Sequence, residues 1–156
     1  MKFRKEGSIE VSASPDVVYD YVSDIPRHSE WGLHKLTIRQ TGPGRYASNA
    51  VLGPMDLQAT IRIEAAERPH RFAYVCDDRA AGVYLWYFQI SPSGGGSRIR
   101  YGLDRLQAPL WVQLVQPWLL WNTGGRQGLE KGLANIKRIL EGPATRSATA
   151  PNADIG

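Results

Sequence analysis

The clearest pattern of apolar and polar positions lies near the end of the chain and is helical. Between residues 109 and 141, one set of apolar side chains recurs three or four positions apart, the spacing of a single helical stripe. These residues are Leu129, Leu133, Ile136 and Leu140. Gly142 and Pro143 follow at once, and this pair ends helices. The pattern predicts a long C-terminal helix that needs a large apolar surface to pack against.

The first half of this predicted helix is aromatic rather than aliphatic. Projected upstream at the same pitch, the stripe passes through Gly125, Asn122, Trp118, Val115 and Trp111. Two interruptions fall within it. Pro117 lacks an amide donor, so a kink or break is expected there, and the pair at 124–125 is a second weak point because glycine disfavours helix.

The chain before this helix alternates between apolar and polar residues, the pattern of strands with one buried side. Ser8–Ser12 reads as a first strand. Ser14 then suits a helix N-cap, with Pro15 and Asp16 in the first turn, and a second short helical turn runs to Trp31. Six further strands are predicted around residues 34–38, 45–52, 57–65, 72–76, 83–90 and 98–103, with a hairpin loop at 91–96.

This order indicates an α+β fold of one domain. Short turns favour an antiparallel meander of seven strands, and the long helix can bury its stripe only across the concave side of that curved sheet. We assign the domain to residues 1–142. Residues 143–156 carry few apolar groups and are expected to be a disordered tail.

Composition narrows the classes of function. The net charge of +4 comes without a run of basic residues, which argues against nucleic-acid binding. The single Cys76 excludes an internal disulfide, and the three histidines lack metal-ligand spacing. We find no nucleophile motif or phosphate loop, and therefore expect neither a metal nor a cofactor. No signal peptide is visible, and the apolar run at 108–121 is too short for a transmembrane segment, so we expect a cytoplasmic protein.

Four segments carry a resemblance to a known superfamily. They are SIEVSASPDVVYDYVSDIPRHSEW, AERPHRF, FQISPSGGGSRIRY and GLEKGLANIKRILEG. Together they resemble the START-like, birch-pollen-allergen-like helix-grip proteins (SRPBCC), and within them the polyketide cyclase/dehydrase and lipid-transport group. The resemblance implies a cavity for a hydrophobic ligand between sheet and long helix. It carries over no catalytic residue, because the matching motifs are structural.

The polar candidates for such a cavity are few. His34 shares a strand face with Leu36 and could exchange protons near neutral pH, or it could be a rim histidine bonded to water. Asn49 and Asn122 are predicted to face the cavity, where each would bind either a ligand or an ordered water. Tyr74, Tyr84 and Tyr101 offer hydroxyl groups from the sheet, and each is also a plausible core residue.

Large aromatic rings are predicted to form the cavity walls. Trp86 and Trp118 are placed on opposite walls, Trp31 near the mouth and Trp111 toward one end. Tyr84 and Phe88 are expected to join them, because both share a strand face with Trp86. The alternative is that these rings fill the space and leave no cavity.

Three functions follow from this interpretation. The first is carriage or sensing of a lipid-like or polyketide-like hydrophobic small molecule. The second is a polyketide cyclase, aromatase or dehydratase, in which His34, Asn49 and a tyrosine position and protonate an enolate; no clear acid–base pair supports it. The third is a protein- or membrane-docking module that uses the segment Trp111–Trp121. The sequence leaves a homodimer open.

Overall fold

The computed structural model describes residues 3–32, 35–52, 54–122 and 125–142, with the backbone alone for residues 52, 55, 118–122 and 125–127. Seven strands and five helices follow one another within these described ranges. In order, they are β1 (Arg4–Val11), α1 (Pro15–Val22), the 3₁₀ helix η1 (Ile25–Arg27), α2 (His28–Trp31), β2 (Lys35–Gly42), β3 (Arg45–Leu52), β4 (Met55–Glu67), β5 (Arg71–Asp78), β6 (Gly82–Ser93), β7 (Gly96–Gln107), α3 (Leu110–Asn122) and α4 (Gly125–Leu140).

All seven strands form one antiparallel sheet in the order β1-β7-β6-β5-β4-β3-β2. Consecutive strands from β2 to β7 are neighbours, as expected for a meander, and β1 closes the far edge beside β7. The pairing register shifts near residues 40–42, 63–65 and 83–84, and such irregularities increase the bend of a sheet. The result is the predicted helix-grip fold, a curved sheet wrapped around a C-terminal helix.

Helix α4 packs along β1 and β7 on the inner face of the sheet. Its apolar stripe is buried as predicted, with Leu133 and Ile136 at 1% and 0% exposure. Gly7 lets the helix approach closely, because a β-carbon there would lie 3.4 Å from Cδ1 of Leu133. Just after the C-terminal end of α4, the Glu141 carboxylate accepts hydrogen bonds from the amide and hydroxyl of Ser12 at 2.8 and 2.9 Å. Burial and these end contacts fix the position of α4 on the sheet.

The short helices close one end of the inner face. Ser14 caps α1, accepting a hydrogen bond from the amide of Val17 at 3.5 Å, with Pro15 in the first turn as predicted. Val18 and Val22 of α1 are fully buried in the core. Helix α2 follows and carries Trp31 into the same core.

The long predicted helix corresponds to α3 and α4. Helix α3 continues through Pro117 and ends at Asn122, and α4 begins at Gly125. The predicted weak point at 124–125 borders residues 123–124, which lie outside the described residues, and it stays a prediction. Trp111, predicted to lie between sheet and helix, is instead 56% exposed.

The last hairpin is tighter than predicted. Strands β6 and β7 extend to Ser93 and from Gly96, and the turn consists of Gly94 and Gly95. Both have positive φ angles, 56° and 84°, which glycine adopts readily and which suit a two-residue hairpin turn. The predicted disordered tail, 143–156, lies outside the described residues and stays a prediction.

Candidate functional site

The inner face of the sheet is only partly covered by helix α4. Where α4 lies, over β1 and β7, apolar side chains are fully buried. Toward the other edge, inward-pointing apolar residues remain half-exposed. They are Ile38, Tyr46, Ile63, Cys76, Tyr84 and Trp86. Because side chains alternate along a strand, all six lie on the face that α4 occupies, where they pack against the core and keep part of their apolar surface exposed.

Trp86 forms the aromatic centre of this surface. Its ring is nearly parallel to that of Tyr74, at 9° and 6.5 Å between centroids, and it stacks on Tyr101 at 24° and 5.6 Å. Phe88 stacks on the other side of Tyr101, with centroids 4.4 Å apart, and is fully buried. Trp86 is therefore a half-exposed edge of a packed aromatic cluster, and Phe88 belongs to its core.

Two buried tyrosines, Tyr74 and Tyr101, flank the ring of Trp86. Their hydroxyl groups are close enough to influence each other electrostatically. Burial raises the pKa of both hydroxyls, and the nearby Cys76 contributes in the same direction. The pair is thus neutral at physiological pH, and it places polar groups beneath an otherwise apolar surface.

His28 is a site residue that the sequence interpretation missed. Its Nε2 lies 2.7 Å from the carbonyl oxygen of Val22, so this nitrogen carries the proton and donates it. The ring contacts Trp31, Tyr74 and Phe88 at centroid distances of 4.8, 5.4 and 6.2 Å. Burial lowers its pKa to about 4, so the imidazole is neutral near pH 7. Its position three residues before Trp31 in a short helix was the only sequence signal for this placement.

Trp31 lies in the core instead of at the mouth of the site. A β-carbon on Gly132 would be 3.4 Å from its ring, so this glycine makes room for the indole beneath α4. Asn135 of α4 also donates a hydrogen bond to the carbonyl of Trp31 at 3.1 Å. The indole Nε1 is buried without a hydrogen-bond partner. Trp31 therefore connects α2 to α4, and the prediction of a mouth position is wrong.

Asn49 lies on the opposite face of the sheet from the predicted cavity. In the strand register it is paired with Thr37 on β2 and Gln58 on β4, whereas its neighbour Ser48 is paired with Ile38 and points inward. The predicted grouping of Asn49 with Ala47 was correct, but this face is the outer one. Alternation alone could not decide which face of β3 turns toward the helix.

Tyr84 connects the inner face to helix α3. Its hydroxyl donates to the carbonyl of Ala81 at 3.0 Å and accepts from Nε2 of Gln116 at 3.4 Å. The Oε1 atom of Gln116 in turn accepts a hydrogen bond from Arg105 at 2.6 Å. This chain of polar contacts holds α3 beside the open part of the inner face.

Three predicted site residues are not described in side-chain detail. His34 lies outside the described residues, and only the backbone is described for Trp118 and Asn122. Their roles in the site stay predictions.

Burial keeps several described ionisable groups of the inner face uncharged at neutral pH. His28 is neutral, the two tyrosines are held protonated, and burial raises the pKa of the Cys76 thiol to about 12. Across the described ranges, no three histidine, cysteine, aspartate or glutamate side chains are grouped to hold a metal ion. What the arrangement offers is aromatic stacking, apolar contact and neutral hydroxyl groups.

Comparison with known proteins agrees with this class of fold. A family model described as "Polyketide cyclase / dehydrase and lipid transport" matches residues 2–141. The chain belongs to this family. A comparison with curated proteins gave no match.

Solved structures of the same fold share little sequence with this chain. A START superfamily protein from Mycobacterium smegmatis is similar, with a TM-score of 0.64, 14% identity and coverage of 88% of this chain and 98% of the other. A conserved protein from Geobacillus kaustophilus has a TM-score of 0.71 at 13% identity, covering 88% and 95%. Ara h 8.0201 has a TM-score of 0.54 at 14% identity, covering 86% and 99%. At these identities the likeness establishes the fold alone.

No helix in the described ranges combines the length and the apolar character needed to cross a bilayer.

Proposed function

We propose that this protein binds a hydrophobic small molecule on the inner face of the sheet, for carriage or sensing. The observation that carries the proposal is the row of half-exposed apolar side chains facing the side that α4 occupies, centred on Trp86. Exposed apolar surface in a concave position is typical of ligand sites. Family membership supports the same function, because the family description includes lipid transport.

The shape of the aromatic cluster favours a ligand with a planar or cyclic portion. Trp86 presents one ring that already stacks on Tyr74 and Tyr101, so a ligand ring would extend this arrangement. The buried, uncharged tyrosines beside it disfavour a charged group of the ligand. A polyketide-like or sterol-like molecule combines these features, and a charged headgroup does not.

A cyclase or dehydratase acting in the same place has weaker support. Such a reaction needs a group that gains or loses a proton near neutral pH. The described inner-face candidates are held neutral by burial, and His34 lies outside the described residues. The family description is the remaining argument for this alternative.

A docking role for α3 is the second candidate function, and one observation favours it. Leu110 and Leu114 are 70% and 71% exposed, and Trp111 lies between them. Exposed apolar side chains of this size on one helix are typical of surfaces that contact a partner or a lipid bilayer. The two candidate functions use different tryptophans, so a pair of variants separates them.

Titration with the neutral fluorescent probe N-phenyl-1-naphthylamine tests the primary proposal. We expect saturable binding by the native protein and binding about ten-fold weaker in Trp86→Ala, since the variant loses a stacked ring and its apolar area. Trp111→Ala is the matched control and should bind the probe as the native protein does. Absence of saturable binding, or equal weakening in both variants, would contradict the proposal.

Two further measurements extend this design. Mass spectrometry of an organic extract of the purified protein should reveal a co-purified hydrophobic compound that is depleted in Trp86→Ala.

Sedimentation with phosphatidylcholine vesicles tests docking: if α3 docks, Trp111→Ala should lose vesicle binding and Trp86→Ala should retain it. Vesicle binding that is unchanged in Trp111→Ala would exclude docking through α3.

A further inference from the structure

The outer face of the sheet, opposite the face that α4 covers, contains a hollow. It has a volume of about 680 Å³ and lies over strands β2, β3, β4 and β5. A second hollow of about 440 Å³ adjoins it and shares Ala47, Thr60 and Asp77 with it. A strongly twisted sheet is saddle-shaped, so a face that is convex around a helix can be concave in the perpendicular direction. The hollow is thus a product of the same curvature that wraps the sheet around α4.

A row of polar side chains crosses the floor of this hollow. Thr37, Asn49 and Gln58 are direct neighbours across three strands, and Thr60 lies two residues beyond Gln58 on the same face. Adjacent strands are about 4.8 Å apart, so the row from Thr37 to Gln58 spans roughly 10 Å.

Asn49 has an unsatisfied polar atom in this row. Its Oδ1 is buried and has no hydrogen-bond partner. A buried oxygen without a partner costs stability, and natural structures contain few of them. Rotation of the side-chain amide, a soft torsion, would turn this oxygen toward the hollow, where a hydroxyl group of a bound molecule could donate to it.

Positive charge surrounds the hollow. Arg39 and Arg79 line it, and Arg45 and Arg62 line the adjoining one, against the single carboxylate of Asp77. Arg62 forms an ion pair with Glu64 at 2.8 Å. For the other three arginines, no carboxylate in the described part of the chain lies within ion-pairing distance.

One pair of these arginines is placed unfavourably for stability. Arg45 and Arg62 are directly opposite each other in the β3–β4 register. Like charges in that position repel and destabilise a sheet. The ion pair of Arg62 with Glu64 offsets part of this repulsion, and the two arginines add positive charge beside the hollow.

We propose that this outer hollow is a binding site for a small oxyanion that also carries hydroxyl groups. Arg39 and Arg79 bind the carboxylate or phosphate group, and the hydroxyls bind the row formed by Thr37, Asn49 and Gln58. Asp77 disfavours a highly charged anion and accepts a hydrogen bond from a ligand hydroxyl. The site is independent of the hydrophobic site on the inner face.

Nuclear magnetic resonance of the uniformly ¹⁵N-labelled full chain tests this site. Glycerol 3-phosphate and malate are titrated separately at constant ionic strength set with KCl, because simple screening must be held fixed. We expect saturable shifts of the side-chain amide signals of Asn49 and Gln58. The side-chain amide of Asn135, which lies on α4, should not move. The compound that binds more tightly identifies phosphate or carboxylate as the preferred group.

Three charge-matched variants make the test specific. Arg39→Gln and Arg79→Gln should each weaken binding about ten-fold, the typical effect of losing one charge-assisted hydrogen bond. Arg98→Gln removes the same charge from an exposed position on β7 and should bind as the native protein does. The proposal is overturned if neither compound gives saturable shifts, or if all three variants weaken binding equally, which would show general attraction of anions to a basic protein.

Discussion

Truncation of Leu133 tests how strongly α4 holds the sheet. Leu133 is 1% exposed, and its Cδ1 lies 3.4 Å from the position of a β-carbon on Gly7. Leu133→Ala removes three buried carbon atoms and leaves a cavity that the rigid strand backbone at Gly7 cannot fill by collapse. Buried leucine truncations of this kind cost about 2–5 kcal/mol. We expect a loss of about 3–4 kcal/mol, because one wall of the cavity is backbone.

Urea unfolding followed by tryptophan fluorescence measures this loss. The matched control is Leu114→Ala on α3, where the same atoms are removed from a side chain that is 71% exposed; its cost should stay below about 0.5 kcal/mol. Adding Gly7→Ala to Leu133→Ala places a methyl group in the cavity and should recover about 1 kcal/mol. A loss below about 1 kcal/mol in Leu133→Ala, or equal losses in the two leucine variants, would refute the interpretation that α4 grips the sheet there.

Three further predictions concern the sheet and its buried ionisable groups. Gly102→Ala would place a β-carbon 2.5 Å from the ring of Tyr87 and 2.8 Å from a backbone oxygen, so it should cost about 1–3 kcal/mol in chemical unfolding. The control Gly42→Ala, with no atom within 4 Å of its added carbon, should leave the unfolding free energy nearly unchanged. Burial lowers the pKa of His28 to about 4, below its usual 6.5. As the pH falls, His28 is therefore protonated in the unfolded state before it is protonated in the folded state. The free energy of unfolding should fall by about 3 kcal/mol between about pH 6.5 and pH 4. This loss of stability should disappear in His28→Gln. If the free energy of unfolding of the variant fell with pH as steeply as that of the native protein, the prediction would be wrong. The Cys76 thiol, with its pKa raised to about 12, should resist alkylation by iodoacetamide at pH 8 in the folded protein and react fully in urea. Rapid alkylation of the folded protein would show that the thiol is not held protonated by burial.

The two proposed sites divide the chemistry of the molecule between the faces of one sheet. The inner face presents stacked rings and neutral hydroxyls around Trp86. The outer face presents arginines and amides around Asn49. Because side chains alternate along every strand, neighbouring residues of the same strand serve opposite sites, and a substitution at one face leaves the lining of the other in place.

Local sequence patterns predicted the order of the strands and helices and the class of fold. Strand β3 has the predicted bounds, Ser14 caps α1 as expected, and the stripe of Leu133 and Ile136 is buried on the sheet. These features depend on local preferences: alternation in strands, helix-cap chemistry and helical periodicity. Each can be read within a few residues of the chain.

The tertiary structure decided which residues enter the site. In β3 the two faces, Ala47 and Asn49 against Tyr46 and Ser48, differ little in polarity, so only pairing with β2 and β4 fixed which face turns inward. The ring of Trp31 packs beneath α4 at Gly132, which is more than 100 residues away in sequence. His28 contacts this buried ring and is buried with it. Such placements depend on contacts between distant elements, and no local pattern carries that information.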